Sequence, residues 1–362
     1  MKRFDEPILV TRPYLPPLED FKKGLEEIWS NQWLTNNGPM LQRFQKELSK
    51  YLGVPETNLA LFNNGTLALE LGYYAMGLAG GDVITTPFTF VATSHALKRI
   101  GANPIFADID PETMCLSPEA AEKLLTPRTK AIVPVHVYGC ACDVDGFQRL
   151  SDKYGVKIIY DAAHAFGVKV LTNCGDMSMF SFHPTKLFHS CEGGLLVFKD
   201  SSVQEKLFEL RNFAIHNELE CVDVGSNAKM NELQALMGLE CLKKIDDLLD
   251  YRQKIYSVYA EEFSDCKGIK LLPCSLNKAY IPVIFNDFTT REKVYIELRK
   301  CNVYSRRYFY PLLTEFAPYV YGRGGCPVAE DLSSRVLTLP TYYGLSVADV
   351  RGIARNVKEI VG

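Results

Sequence analysis

The residues best suited to chemistry lie in FSFHPTKLFHSCEGG, residues 180–194, where Lys186 occupies a short polar turn. An apolar run leads into the turn, and a Gly-Gly pair and a second apolar run follow it. A buried amine is costly unless it is neutralised, paired or covalently used. In a closed pocket its pKa falls, and it can attack a carbonyl group to form a Schiff base. Taken alone, however, a lysine is more often a surface residue.

The carboxylate of Asp161 makes the pocket interpretation of this lysine stronger. Asp161 ends the apolar segment KIIYD and precedes AAHAFG. Such a residue is either a helix N-cap or the partner of a cationic ligand. Combined with a pocket lysine it has a specific use, since the lysine can hold pyridoxal phosphate while the carboxylate keeps the ring nitrogen protonated. The ring then accepts electrons from a substrate carbanion.

The same cofactor needs a site for its phosphate, and NNGTLALE at residues 63–70 offers one. Gly65 and Thr66 stand at a predicted helix start, where backbone N–H groups are free and the helix dipole is positive. An ordinary N-cap turn would have the same sequence. Ser181 could add a hydroxyl group, and Phe90 could stack on a pyridine ring or belong to the core.

An alternation of short apolar segments with helix-like segments occupies the first two thirds of the chain. It predicts strands over 82–87, 103–109, 131–138 and 157–163, with helices between them. Such βαβ units form a mainly parallel sheet, in which ligands lie at the carboxyl ends of the strands. Asp161 is placed at such an end.

The pattern changes near residue 229, where a single long helical stretch is predicted to run to residue 263. A strand-like segment, a helix and a final helix after Pro340 follow it. We therefore expect a large domain over residues 1–240 and a smaller α+β domain over residues 241–362.

Composition excludes several classes of function. The 362 residues, 47% of them hydrophobic, suffice for two domains with a sizeable core. A net charge of −3 gives no electrostatic case for nucleic acid or an acidic membrane surface. Neither a signal peptide nor a membrane-spanning run is predicted. The 11 scattered cysteines indicate reduced thiols in a cytoplasmic protein, without a metal site.

An ordered set of segments resembles the DegT/DnrJ/EryC1/StrS family of sugar-nucleotide aminotransferases. The segments are WLTNNGP, NNGTLAL, TTPFTFVATSHAL, VPVHVYG, YDAAHAFG, GDMSMFSFHPTK, GSNAKMNELQA, YFYP and LTLPTYYGLS. The resemblance covers essentially the whole chain. It implies an α/β fold of the fold-type-I class of aspartate aminotransferase, with a mainly parallel seven-stranded sheet flanked by helices and a small C-terminal α+β domain.

The resemblance also implies site residues. Lys186 would carry pyridoxal 5′-phosphate as a covalent aldimine and move the proton, Asp161 would pair with the pyridinium nitrogen, and His164 would lie beside the ring. The implied cofactor-binding residues are Gly65, Thr66, Phe90, Asp161, His164, Ser181, Lys186 and Asn227. Asn227 would reach the phosphate of a neighbouring subunit, which implies a homodimer with shared active sites. The implied substrate contacts are Thr35, His183 and Tyr310.

The implied reaction moves an amino group from L-glutamate to a nucleotide-linked keto-deoxy sugar, in deoxyamino sugar biosynthesis of the O-antigen kind. The S-F-H triplet before Lys186 is more typical of enzymes that aminate the 4-position than of those that aminate the 3-position. With dTDP as the first choice of carrier, the expected acceptor is dTDP-4-keto-6-deoxyglucose.

Three alternatives stay open. They are amination of the 3-position, amination of a non-nucleotide keto compound such as an inosose, and a non-catalytic regulatory protein that binds the cofactor. A sugar 3-dehydratase of the same fold is disfavoured, because that branch has histidine where Lys186 stands.

Overall fold

The computed structural model describes residues 1–217, 219–322 and 325–362. The strands are β1 (Ile8–Leu9), β2 (Leu59–Phe62), β3 (Asp82–Thr85), β4 (Asn103–Phe106), β5 (Thr129–Val133), β6 (Lys157–Asp161), β7 (Met177–Ser181), β8 (Gly194–Phe198), β9 (Ile215–His216), β10 (Glu220–Cys221), β11 (Ile269–Leu271), β12 (Ile281–Phe285), β13 (Val303–Tyr304) and β14 (Val336–Leu339). The helices are α1 (Leu18–Asn31), α2 (Pro39–Leu52), α3 (Gly65–Ala75), α4 (Val91–Arg99), α5 (Pro118–Glu122), α6 (Val144–Tyr154), α7 (Val203–Leu210), α8 (Glu232–Leu242), α9 (Ile245–Phe263), α10 (Phe288–Lys300), α11 (Pro327–Arg335) and α12 (Val347–Val361).

A seven-stranded sheet in the order β2-β8-β7-β6-β5-β3-β4 forms the centre of the larger layer. The pairs from β4 through β7 are parallel, whereas β8 runs antiparallel to both β7 and β2. The predicted fold class is therefore confirmed. Since β6 and β7 are parallel, their carboxyl ends meet at one edge of the sheet, which brings Asp161 and Ser181 close together.

Both faces of this sheet are buried, and successive residues of a strand belong to different cores. Val83 and Ile159 pack towards α3 and α7, whereas their neighbours Ile84 and Ile158 pack towards α2 and α8. This alternation follows from the period of two along a strand. Burial of both faces also explains why the strands are nearly continuous apolar runs in the sequence.

The predicted single helix over residues 229–263 is two helices, α8 and α9, separated at Lys243 and Lys244. Asn231 caps the start of α8, where its side chain accepts a hydrogen bond from the backbone N–H of Gln234. α8 packs on α1 and α2, while α9 packs on α12 and β11. The apolar repeat continues through both helices, so the sequence pattern did not reveal the change of packing partner.

A smaller C-terminal layer consists of the antiparallel sheet β11-β12-β14 with α9, α10 and α12 around it. The N-terminus also joins this layer, because Ile8 pairs with Val303 and Phe4 is buried in its core. The predicted boundary near residue 240 stays a prediction, and a division by sequence order alone does not represent this N-terminal strand. No helix within the described residues has both the length and the apolar character needed to cross a membrane.

A disulfide bond corrects the expectation that all thiols are reduced. Cys140 and Cys274 are bonded, with their Cα atoms 5.1 Å apart and a sequence separation of 134. Cys140 follows the turn after β5, and Cys274 lies in the segment between β11 and β12. The fold brings the two together across the boundary between the layers, which spacing in the sequence could not indicate.

We expect Cys274→Ser to lower the free energy of unfolding by about 2–4 kcal/mol, because the cross-link restricts the unfolded chain. Guanidinium denaturation without reductant measures the effect, and Cys266→Ser, which alters an unbonded cysteine, is the control. Peptide mass mapping after thiol blocking should find the Cys140 and Cys274 peptides joined. If both peptides carry the blocking group, the bond does not form in the protein.

Candidate active site

A cavity of about 220 Å³ opens at the carboxyl ends of β6 and β7. Eight of the predicted site residues line it, namely Gly65, Thr66, Phe90, Asp161, His164, Ser181, His183 and Lys186. Asn64, Thr89, Glu192, Tyr280, Tyr308 and Phe309 also line it. The cavity is therefore built from the ends of the central strands, the start of α3 and the C-terminal layer.

Lys186 is held in a tight turn, where its backbone N–H donates to the carbonyl of His183 at 2.9 Å. Its side chain extends into the cavity, with Nζ 3.4 Å from the hydroxyl oxygen of Tyr280. The surrounding protein displaces water and lowers the pKa of Lys186 to about 8, although the carboxylate of Asp161 opposes this shift. A substantial fraction of the amine is thus neutral near pH 8 and can act as a nucleophile or base.

The carboxylate of Asp161 is buried at the end of β6, with the residue only 4% exposed. Oδ2 accepts a hydrogen bond from Thr93 Oγ1 at 2.7 Å, and Oδ1 accepts one from the backbone N–H of Ala163 at 3.1 Å. Burial nevertheless raises the pKa of Asp161 above its usual value. A buried carboxylate with lone pairs to spare is suited to bind a cationic group.

His164 is a neutral imidazole in this environment. Its Nδ1 accepts a hydrogen bond from the backbone N–H of Tyr138 at 3.0 Å, so the proton of the neutral ring is on Nε2. Burial lowers the pKa of His164 well below its usual value. The ring lies nearly parallel to Phe309, with centroids 6.0 Å apart, and forms a flat wall of the cavity.

The start of α3 provides a site for an anion. The Asn64 side chain caps the helix by accepting from the N–H of Leu67 at 2.9 Å. The first N–H groups of the helix, at Gly65 and Thr66, have no acceptor within the helix itself. A Cβ atom on Gly65 would lie 3.3 Å from Ser181 Oγ, so glycine allows the helix start and the serine hydroxyl to share one small space. Backbone N–H groups and a hydroxyl group together suit a phosphate.

Two further side chains lie at the mouth of the cavity. His183 Nε2 is 3.5 Å from Glu192 Oε1, and His183 Nδ1 is 2.8 Å from Thr185 Oγ1. Phe90 precedes α4, lines the cavity and is 58% exposed, so its side chain can contact a ligand.

Three predicted site residues are not among those that line this cavity. Thr35 is exposed in the loop between α1 and α2, and Asn227 is exposed beside Asn63. The ring of Tyr310 lies over the guanidinium of Arg291, 4.4 Å from it. Tyr308, two residues earlier, lines the cavity in place of Tyr310. The role of Tyr310 as a substrate contact stays a prediction, while the local path of the chain brings Tyr308 to the cavity.

Sequence reasoning missed Tyr280, Tyr308, Phe309 and Thr93. Thr93 stands inside the quoted segment TTPFTFVATSHAL, seven residues after Thr86, and only the geometry of α4 brings its hydroxyl group to Asp161. Tyr280 lies in the C-terminal layer, in a segment read only as a strand. The described residues contain no cluster of three His, Cys, Asp or Glu side chains that could hold a metal ion.

The loop before α2 is anchored to α8 by the buried carboxylate of Glu232. Its oxygens accept hydrogen bonds from the N–H groups of Met40 at 2.7 Å and Leu41 at 3.1 Å. The N–H of Glu232 in turn donates to the carbonyl of Leu34 at 3.0 Å. The carboxylate thus caps α2 from outside the helix and holds the WLTNNGP loop in place.

We expect Glu232→Ala to lower the free energy of unfolding by about 2–4 kcal/mol, because two buried N–H groups lose their acceptor. Urea denaturation measures the loss. Glu47→Ala removes a partly exposed carboxylate from α2 and is the matched control, with an expected change below about 1 kcal/mol. Equal stability of the two variants would contradict the anchoring role.

Comparison with known proteins relates nearly the whole chain to one family of enzymes. The model of the DegT/DnrJ/EryC1/StrS aminotransferase family matches residues 18–358. A dTDP-4-amino-4,6-dideoxy-D-glucose transaminase of Shigella dysenteriae is 42% identical over 369 residues, with 98% of this chain and 100% of the relative covered.

Solved structures resemble this chain over nearly its whole length. DesI in the presence of its TDP-sugar product superposes with a TM-score of 0.93 at 34% identity, covering 100% of this chain and 94% of DesI. NtdA of Bacillus subtilis with bound cofactor PMP superposes with a TM-score of 0.88 at 26% identity, covering 95% and 82% of the two chains.

Proposed function

Because this chain belongs to the DegT/DnrJ/EryC1/StrS aminotransferase family, we propose that it transfers an amino group from L-glutamate to the 4-position of dTDP-4-keto-6-deoxyglucose. The observation that carries the proposal is the presence of Lys186 and Asp161 in one cavity at the carboxyl end of the sheet. The choice of acceptor is supported by the relative from Shigella, which is named for the amino sugar that this reaction would produce.

The cavity residues fit pyridoxal 5′-phosphate. When bound, that cofactor supplies a ring that accepts electrons while an amino group leaves one carbon atom and joins another. Lys186 Nζ would hold its aldehyde carbon, and the start of α3 with Ser181 would hold its phosphate. Phe90 and His164 would bound the two faces of the ring.

Asp161 gives the clearest physical reason for a cationic partner. Its carboxylate is buried and accepts two hydrogen bonds, yet burial raises its pKa. Burial therefore disfavours the ionised form of this carboxylate. A protonated ring nitrogen beside it would offset that cost and favour the ionised form. The amine of Lys186, whose pKa is about 8, can take a proton from one carbon atom and return it to another.

We include a homodimer in the proposal. Apolar side chains around the segment before Asn227 are unusually exposed, among them Phe213 at 47% and Val224 at 83%. We propose that a second copy covers them and that Asn227 then reaches the phosphate site of the partner. A cytoplasmic location and a role in O-antigen synthesis belong to the same proposal, and the Cys140–Cys274 bond would then have to persist in a reducing compartment.

The test uses purified protein loaded with pyridoxal 5′-phosphate. L-Glutamate should bleach the visible absorbance band, and dTDP-4-keto-6-deoxyglucose should then restore it and yield an amino sugar detected by mass spectrometry. NMR of the product locates the new amine. Parallel reactions use the UDP- and GDP-linked keto sugars and an inosose.

The outcomes distinguish the alternatives. An amine at C3, or a preference for another carrier or an inosose, would reject the proposed substrate while leaving the aminotransferase class intact. A colour that no amino donor alters would indicate a protein that binds the cofactor without turnover.

A further inference from the structure

The hydroxyl group of Tyr280 is the hydrogen-bond partner of Lys186 Nζ. The two atoms are 3.4 Å apart, and this is the sole hydrogen bond of either group within the described residues. The Tyr280 residue is 3% exposed, and its ring packs against His164 with centroids 4.5 Å apart. A buried phenol whose only polar contact is the reactive amine requires a physical explanation.

The segment that carries Tyr280 is fixed to the larger layer beside the cavity. Ser275 Oγ donates to the carbonyl of Tyr138 at 2.8 Å. Asn277 Nδ2 donates to the carbonyls of His164 at 2.8 Å and Phe166 at 3.0 Å. The disulfide bond of Cys274 adds a covalent link to the turn that contains Tyr138. Tyr280 is thus held in place relative to the loop that follows Asp161.

Tyr280 is the one group facing Lys186 that makes a hydrogen bond with Nζ within the described residues. Asp161 acts on Lys186 through its charge and makes no hydrogen bond to Nζ within the described residues, and burial keeps His164 neutral. Tyr308 also lines the cavity, but its hydroxyl group makes no hydrogen bond with Nζ within the described residues. His183 and Glu192 contact each other at the mouth of the cavity.

A protonated phenol can form a hydrogen bond with an amine that is charged and also with one that is neutral. Burial raises the pKa of Tyr280 well above its usual value, so its O–H bond stays intact across the working range of pH. The oxygen can accept from an ammonium group, and the O–H can donate to a neutral amine.

We propose that Tyr280 is a positioning residue for Lys186. The hydroxyl group of Tyr280 holds Nζ at one point of the cavity, whether the amine is charged or neutral. The inference rests on the proposed function, because a lysine that moves a proton between two carbon atoms must stay aligned while it is not covalently bound. The proton is carried by Nζ throughout, and the hydroxyl group of Tyr280 keeps its own proton.

Tyr280→Phe tests the proposal, because it removes the oxygen and keeps the ring against His164. The control is Tyr259→Phe, which removes a buried hydroxyl of the same layer that donates to the carbonyl of Pro340. In cofactor-free protein, the rate at which an amine-selective reagent labels Lys186 is followed from pH 6 to pH 10 by peptide mass spectrometry.

The expected result is a pKa of Lys186 lower by about half a unit to one unit in Tyr280→Phe. A hydrogen bond to a charged group is worth more than one to a neutral group, so losing the oxygen penalises the ammonium form more. Tyr259→Phe should leave this pKa unchanged.

The loaded enzyme gives a second readout. Turnover should fall about tenfold to a hundredfold in Tyr280→Phe, with KM for the sugar nearly constant, because alignment of the amine affects proton transfer rather than binding. Tyr259→Phe should keep its turnover.

An unaltered pKa of Lys186 in Tyr280→Phe protein that unfolds cooperatively would overturn the proposal. So would a raised KM with constant turnover, which would make Tyr280 a substrate contact. The labelling experiment needs no sugar. A lowered pKa in a protein that aminates none of the sugars would reject the proposed function and leave the positioning role in place.

Discussion

Lys186→Ala is expected to lower the rate of amino transfer by about 10³-fold or more, because it removes the base that moves the proton and the amine that would hold the cofactor. Among the residues that the structure describes, no other lysine lines the cavity, so no second amine could replace that of Lys186. The rate is measured as 2-oxoglutarate released from L-glutamate, together with the amino sugar found by mass spectrometry.

Lys199→Ala is the matched control, since Lys199 is an exposed lysine just after β8. Its turnover should equal that of the unaltered protein. Lys186→Arg separates charge from reactivity, because a guanidinium keeps the positive charge but cannot lose its proton. It should be as inactive as Lys186→Ala. Activity within tenfold of the unaltered protein in either Lys186 variant would remove the proposed role.

Asp161→Asn is expected to lower turnover by about 10²- to 10³-fold, since an uncharged amide cannot keep a proton on a ring nitrogen beside it. Affinity for the cofactor should fall with it. The control is Asp152→Asn, which alters an exposed carboxylate on α6. Turnover in Asp161→Asn that matches the control would contradict the proposed pairing.

Although Asp161→Asn is expected to lower turnover, it should not destabilise the cofactor-free protein. Burial raises the pKa of Asp161, so the ionised carboxylate destabilises the fold as pH rises above the usual range of an aspartate. Asp161→Asn removes the charge, and its Tm without cofactor should therefore be no lower than that of the unaltered protein, as differential scanning calorimetry would measure. A clear fall in Tm would show that the carboxylate stabilises the empty cavity.

The sequence predicted the central sheet well because its pattern is local. Short apolar runs bounded by Gly and Pro mark β3, β4, β5 and β6, and the structure has each of them. The helix that begins at Gly65 is confirmed in the same way. Each depends on residues within one or two turns of each other, so periodicity and turn chemistry suffice.

Prediction was poorer where two distant segments meet. The division between α8 and α9 depends on which layer each helix packs against. The bond between Cys140 and Cys274 and the contact of Tyr280 with Lys186 join segments from different layers. The presence of Tyr308 in the lining of the cavity depends on the path of a loop.

By itself the sequence determined which residue types are available and where they stand on the elements: a lysine in a turn, an aspartate at a strand end, a glycine at a helix start. These are consequences of local patterns, since a strand end or a helix start is specified by its immediate neighbours. The tertiary structure alone decided what surrounds them. The pKa of Lys186, the partners of Asp161 and the phenol that contacts the amine result from burial and packing between layers, which depend on atoms far apart in the chain.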